Sequence, residues 1–400
     1  MKQTDIAVVG AGVVGLATAY QITQAHPQLS VTVIDKEPEV ARHQTGHNSG
    51  VLHSGIYYRP GSLKATNCRA GKLAMVQFCQ EQEIDFELCG KVIVAVDESE
   101  VPTLQNILER GQANQVSCEL IDSDRLKELE PHVNGVKAIH VPEAGIVNYK
   151  KVCQKLAELV QQNPANHLSL GNPVKKITRH KDRAVVTTLK EEWESRLIIN
   201  CGGLHCDRIS KLGKLPPNTK IVPFRGEYFE LRDDRRHLCR NLIYPVPDPK
   251  FPFLGVHFTR MIDGSVECGP NAVLAFAREG YRKQDINLRD LAESLTYPGF
   301  IRLALKHFKM GMGELHRSFS KQAFVKALQR LLPEIQADDL KAAPAGVRAQ
   351  AVQSNGSLVD DFLIEEDETM ISVLNAPSPA ATASLNIGKV ITDRISHRFS

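Results

Sequence analysis

The sequence predicts an α/β protein in which a parallel-sheet domain is interleaved with a second domain built on a mixed, largely antiparallel sheet. Three observations carry this expectation. The chain opens as strand, glycine turn, helix and strand. Its middle, residues 221–275, is rich in short apolar runs and prolines. An apolar run near the C-terminus then leads into a last helix, as a strand returning to the first sheet would.

The first element, residues 5–9 (DIAVV), suits a buried parallel strand. Residues 16–25 read as a helix stopped near Pro27, and residues 30–34 (SVTVI) as a second, β-branched strand ending at Asp35. Between strand and helix stand Gly10, Gly12 and Gly15, a GxGxxG pattern. Gly10 allows the tight turn, Gly12 lets a pyrophosphate approach the backbone, and Gly15 lets the helix pack on the strand. The helix N-terminus attracts phosphate. Asp35 lies 20 residues beyond Gly15, where an acid accepts hydrogen bonds from a ribose. That acid selects against a 2′-phosphate but does not separate NAD from FAD.

Residues 36–62 are irregular. Helical spacing covers 63–83, 101–114, 123–129 and 149–162, and strand-like runs cover 91–96, 174–177, 184–188 and 197–200. Residues 221–275 suggest an antiparallel sheet, and 287–333 are helical in pattern. A strand pair at 357–365 and 370–374 leads into a terminal helix from about Ala381. Residues 43–58 (HQTGHNSGVLHSGIYY) hold three histidines and three glycines. Such a segment cannot build a core, and its backbone donors and small side chains suit wrapping around a polar ligand.

Composition narrows the classes. The 400 residues, 42% apolar and 24% charged, can bury an ordinary core. With 49 Lys+Arg against 46 Asp+Glu, the formal charge of +3 argues against a nucleic-acid binder. Nine cysteines show no CxxC and no zinc spacing, so no metal site or disulfide framework is expected, and a reduced, cytoplasmic compartment is. The apolar stretch 6–20 is 15 residues long, short of the roughly 20 that span a bilayer, and it lacks the features of a signal peptide.

The three glycines, the run Asp35, Lys36, Glu37 and residues 43–58 resemble the D-amino-acid-oxidase-like FAD-dependent oxidoreductases, a family that includes glycine oxidase and glycerol-3-phosphate dehydrogenase. Within it they resemble the group acting on L-2-hydroxyglutarate. The resemblance continues through residues 89–94 (CGKVIV), 223–228 (PFRGEY), 244–259 (YPVPDPKFPFLGVHFT), 269–273 (GPNAV), 345–350 (AGVRAQ) and 375–385 (NAPSPAATASL), nearly the whole chain. Asp35 stands where such flavoproteins more often carry Glu, and the shorter acid should still reach the ribose. The resemblance implies a Rossmann-like FAD-binding domain from residues 1–88, 146–214 and 341–400. The substrate domain would comprise 89–145 and 215–340, with basic amphipathic helices at 300–332.

By that resemblance, hydride leaves the hydroxyl-bearing carbon of a 2-hydroxydicarboxylate for the flavin while a base takes the hydroxyl proton. L-2-hydroxyglutarate becomes 2-oxoglutarate, and a quinone or oxygen accepts the electrons. Arg348, whose planar fork suits a carboxylate, is the expected substrate anchor, with Arg225 a weaker candidate. His53 and His257 compete for the base, and Tyr58 and Tyr244 are candidates to hydrogen-bond substrate. For FAD the resemblance implies Lys36, Thr45, Asn48, Ser49 and His53 along the wrapping loop and Val174 at the adenine. Cys201 and Gly202 would lie near the pyrophosphate, with Gly346 and Arg348 on a late strand. Ser378, Ala381 and Thr382 would stand at a helix N-terminus stabilising negative charge on the reduced ring. The same scaffold could act on glycerol-3-phosphate or an amino acid, and a nucleotide-binding regulatory protein without turnover is the alternative outside enzymes.

One segment departs from the neutral average. Residues 300–332 carry seven cations (Arg302, Lys306, Lys309, Arg317, Lys321, Lys326, Arg330) and one acid, Glu314, interleaved with phenylalanine, leucine and methionine. This reads either as a packed helix pair with a solvated basic face or as a segment lying on the inner face of the cytoplasmic membrane.

Overall fold

The computed structural model describes residues 1–248 and 255–399, so residues 249–254 of the 244–259 motif lie outside the described residues. β1 (Lys2–Val9) pairs in parallel with β2 (Val31–Ile34) and with strand Glu192–Asn200. All four residues of β2 are buried, as expected for a strand covered on both faces. His167–Ser169 flanks β2, Met370–Asn375 runs parallel beside Glu192–Asn200, and the antiparallel pair Val174–Arg179 and Ala184–Thr188 closes the far edge. Helices α1 (Val13–Ala25) and α2 (Leu63–Glu81), with helices Tyr149–Gln161 and Ala380–Ile395, cover this sheet. The terminal helix crosses its neighbours closely. A Cβ on Gly388 would stand 2.7 Å from the Ala17 carbonyl oxygen, and one on Gly71 2.5 Å from Ala383 Cα.

A second, nine-stranded sheet is antiparallel except where Leu242–Pro245 pairs in parallel with Lys91–Ala95. That pair brings residues far apart in the sequence into one sheet. The strand Gly346–Gln353, expected with the first domain, is instead hydrogen-bonded along Thr219–Leu231 in this second sheet. It thus runs from one sheet towards the other. A further difference lies at 357–365, where only Leu363–Glu366 is a strand. The Val359 and Asp361 carbonyls accept instead from the Asn375 side chain, each at 2.9 Å.

The basic segment forms helices Pro298–Lys306, Phe308–Phe319 and Lys321–Leu328. The last buries Phe324, Val325 and Leu328 in the second core. The middle one buries nothing and leaves Phe308 63% and Phe319 79% exposed. Arg317 pairs with Glu314 and Arg330 with Glu100, Arg302 donates to the Ser354 carbonyl, and Lys321 to the Leu340 carbonyl. Lys306, Lys309 and Lys326 make no such bond among the described residues. No helix of the described residues is long and apolar enough to cross a membrane.

Candidate active site

A cavity of about 970 Å³ runs from the glycine turn after β1 to the face of the second sheet. That lies at the upper end of ligand pockets, as a dinucleotide plus substrate requires. Every site residue expected from the sequence lines it except Gly15 and Arg225. Gly15 packs: a Cβ there would meet the Gly10 carbonyl oxygen at 1.9 Å. Gly10 adopts φ +114°, and its Cβ would stand 2.4 Å from the Cys201 carbonyl oxygen, so the turn admits only glycine. In front of Gly12 only Thr45 Oγ1, at 3.3 Å, comes near. A methyl there would fill the cradle rather than the core.

Asp35 ends β2 with its carboxylate held by two backbone amides, Ala11 at 2.6 Å and Glu37 at 2.8 Å, and faces the cavity. Thr45 Oγ1 accepts from the Val13 amide at 3.0 Å and ties the wrapping loop to the start of α1. Asn48 serves that loop with its side chain, donating to the Thr45 carbonyl at 2.5 Å and accepting from Gly50 at 2.8 Å. Lys36 is committed to Glu37, Glu279 (2.9 Å) and His43 (2.8 Å). Glu37, His43 and Glu279 could offer metal-ligand atoms within 4.8 Å of one another, but the Lys36 ammonium donates to all three. Burial pulls the Glu279 carboxyl up, yet hydrogen bonds from His205 and Lys36 hold it down at about 2. The glycine cradle, the pinned Asp35 and the cavity's size all fit FAD.

The terminal helix points its N-terminus at the cavity, with Ser378, Ala381 and Thr382 in the wall and no side-chain cap. Its amides and positive dipole end favour negative charge there. Thr382 itself is fully buried and engaged. Its hydroxyl donates to the Val51 carbonyl at 3.1 Å, bonds Tyr149 at 3.0 Å and accepts the His53 amide at 3.2 Å. This knot fixes the backbone of His53.

At the other end, strand alternation decides which arginine faces the cavity. Arg348 stands opposite Phe224 in register, on the face of Gly226 and Tyr228 that lines the cavity. Arg225 points the other way, is held by Glu227 at 2.8 Å and does not line the cavity. Arg348 is hydrogen-bonded to Tyr228 but has no carboxylate partner among the described residues. His53 is half-buried, and its ring makes no hydrogen bond among the described residues. Burial, then the charges of Lys91, His257, Arg348 and Lys64, push its pKa down to about 3. His257 is more deeply buried, its ring stacked on Tyr244 with centroids 4.0 Å apart. Its Nδ1 donates to the Gly255 carbonyl at 2.8 Å, leaving Nε2 with the lone pair. Burial pushes His257 down to about 4. Both imidazoles are therefore neutral near pH 7.

Three side chains here had no role expected from the sequence. Lys91 is 2% exposed with no carboxylate partner among the described residues, its ammonium 4.8 Å from the Tyr57 ring centroid and 5.0 Å from that of Tyr244. Burial lowers its pKa to about 8. The Tyr57 hydroxyl is buried without a hydrogen-bond partner among the described residues, and Lys64 lies 4.9 Å over the Tyr58 ring. Only the tyrosine pair within residues 43–58 could have drawn attention to them.

Comparison with known proteins agrees with this geometry. The family model for FAD dependent oxidoreductases matches residues 5–394. The chain is 52% identical over 397 residues to the L-2-hydroxyglutarate dehydrogenase of Indibacter alkaliphilus, covering 99% of each. It is 42% identical over 412 residues to the mitochondrial L-2-hydroxyglutarate dehydrogenase of Homo sapiens, covering 99% of this chain and 89% of that one. Among solved structures, the FAD-bound L-alpha-glycerophosphate oxidase of Mycoplasma pneumoniae superposes with a TM-score of 0.79 at 23% identity, over 97% and 94% of the two chains.

Proposed function

The chain belongs to the FAD-dependent oxidoreductase family, and from that premise we propose that it oxidises L-2-hydroxyglutarate to 2-oxoglutarate. The observation that carries this reading is one cavity holding the dinucleotide cradle, an arginine fork with no carboxylate partner among the described residues and two neutral histidines. Bound FAD supplies the two-electron acceptor for the hydrogen on C2. The protein does the rest. Arg348 takes the carboxylate beside the hydroxyl in a bidentate contact and fixes C2. His53 accepts the hydroxyl proton on a ring nitrogen free of other bonds. His257 and Tyr244 form a stacked wall that orients the hydroxyl. The terminal helix N-terminus favours the negative charge left after transfer.

We further propose that the exposed helix Phe308–Phe319 rests on an anionic lipid surface, with Phe308 and Phe319 in the interface and Lys306 and Lys309 beside them. Such docking suits a membrane quinone as the acceptor, with oxygen as the alternative. Activity with an artificial electron acceptor tests the substrate reading. L-2-hydroxyglutarate should yield equimolar 2-oxoglutarate, with the D-enantiomer, glycerol-3-phosphate and glycine at least about 100-fold slower, about 2.7 kcal/mol in the transition state. Faster turnover of glycerol-3-phosphate would move the chain to another branch of the family.

A further inference from the structure

A five-carbon dicarboxylate leaves a second negative charge to be met, and Arg348 can take only one. Lys64 lines the same cavity from the first turn of α2, close enough to His53 for its charge to act there, as that of Arg348 does. The two cations thus bear on one imidazole from different elements, a helix and a strand. Lys64 is held ready. Ser62 Oγ caps α2 by accepting the Ala65 amide at 3.2 Å, and the Asn114 side chain donates to the Gly55 and Tyr58 carbonyls at 3.2 and 2.9 Å. The ammonium therefore rests over a tyrosine ring whose backbone is pinned. Asp360, which lines the cavity, and its neighbour Asp361 act on it, yet neither comes within ion-pair distance among the described residues. A half-buried cation with no carboxylate partner is costly until a ligand supplies the opposite charge.

We propose that Lys64 binds the distal carboxylate of the substrate and so makes the site selective for 2-hydroxydicarboxylates over 2-hydroxymonocarboxylates. This rests on the substrate reading above. A charge-assisted hydrogen bond of this kind is worth about 10–100-fold in kcat/KM. The test compares L-2-hydroxyglutarate with L-2-hydroxyvalerate, which has the same carbon chain without the second carboxylate. Wild type, Lys64→Gln, Lys64→Met and Lys64→Arg are assayed as holoenzymes with equal flavin content. In Lys64→Gln and Lys64→Met the ratio of kcat/KM for the dicarboxylate to that for the monocarboxylate should fall about 10–100-fold, mainly through KM. Lys64→Arg should restore part of it. An unchanged ratio, including an equal loss on both compounds, overturns the proposal. Failure of the wild type to turn over L-2-hydroxyglutarate is a separate result, read in the unmutated control, and overturns the substrate reading beneath it.

Discussion

At His53, burial and four surrounding positive or titrating groups work in one direction, against the imidazolium. A base with an ordinary histidine pKa would lose half its neutral form near pH 6.5. Here the neutral form persists well below that, and His257 behaves alike at about 4. The acid limb of kcat/KM is therefore expected at about pH 3–4 rather than 6–7. Lys91 loses its charge as pH rises through its lowered pKa of about 8, which removes one of the cations that disfavour the His53 imidazolium. His53→Ala should slow flavin reduction by about 10²–10⁴-fold, as expected for a general base. His257→Ala should slow it less. The reverse order in stopped-flow reduction would exchange their roles. Gly10 and Asp35 were legible from local pattern and Arg348 from the resemblance, and all three line the cavity. Lys91 and Lys64 were illegible because each acquires its meaning from rings brought to it by packing. An isolated lysine in CGKVIV or GSLKA reads as surface.

At the scale of elements, helix Phe308–Phe319 is the one for which the sequence left two readings open. A packed amphipathic helix buries its apolar stripe, and this one buries none. Counting charges along the chain also overstated its basicity. Four of the seven cations are occupied by Glu314, Glu100 or backbone carbonyls, which only tertiary contacts reveal. The expected contact thus rests on few charges and large exposed rings. Vesicles containing about 30% anionic lipid should co-sediment the wild type. Phe308→Ser with Phe319→Ser should abolish this, and 0.5 M salt should weaken it only in part. Equal sedimentation of wild type and the double variant would remove the membrane surface from the proposal.

For the whole molecule, the consequence of interleaving is that the site lies between two sheets and is completed by segments far apart in sequence. The strand Gly346–Gln353 shows why domain limits were the hardest part to read. Its motif belongs with the cofactor-binding residues, its hydrogen bonds belong to the second sheet, and Gly346 abuts the wrapping loop, a Cβ there standing 2.5 Å from the His47 carbonyl oxygen. Local pattern reveals a strand but not its partner across the chain. The parallel βαβ opening was legible because its pairing is sequential, whereas the pairing of Leu242–Pro245 with Lys91–Ala95 spans a long insertion. This assembled cavity is expected to move electrons from one enantiomer of one substrate class into the flavin. Anaerobic mixing of the yellow holoenzyme with L-2-hydroxyglutarate should bleach the flavin absorbance completely, while D-2-hydroxyglutarate, glycerol-3-phosphate and glycine leave it unchanged. Retention of the oxidised spectrum with L-2-hydroxyglutarate would contradict the account.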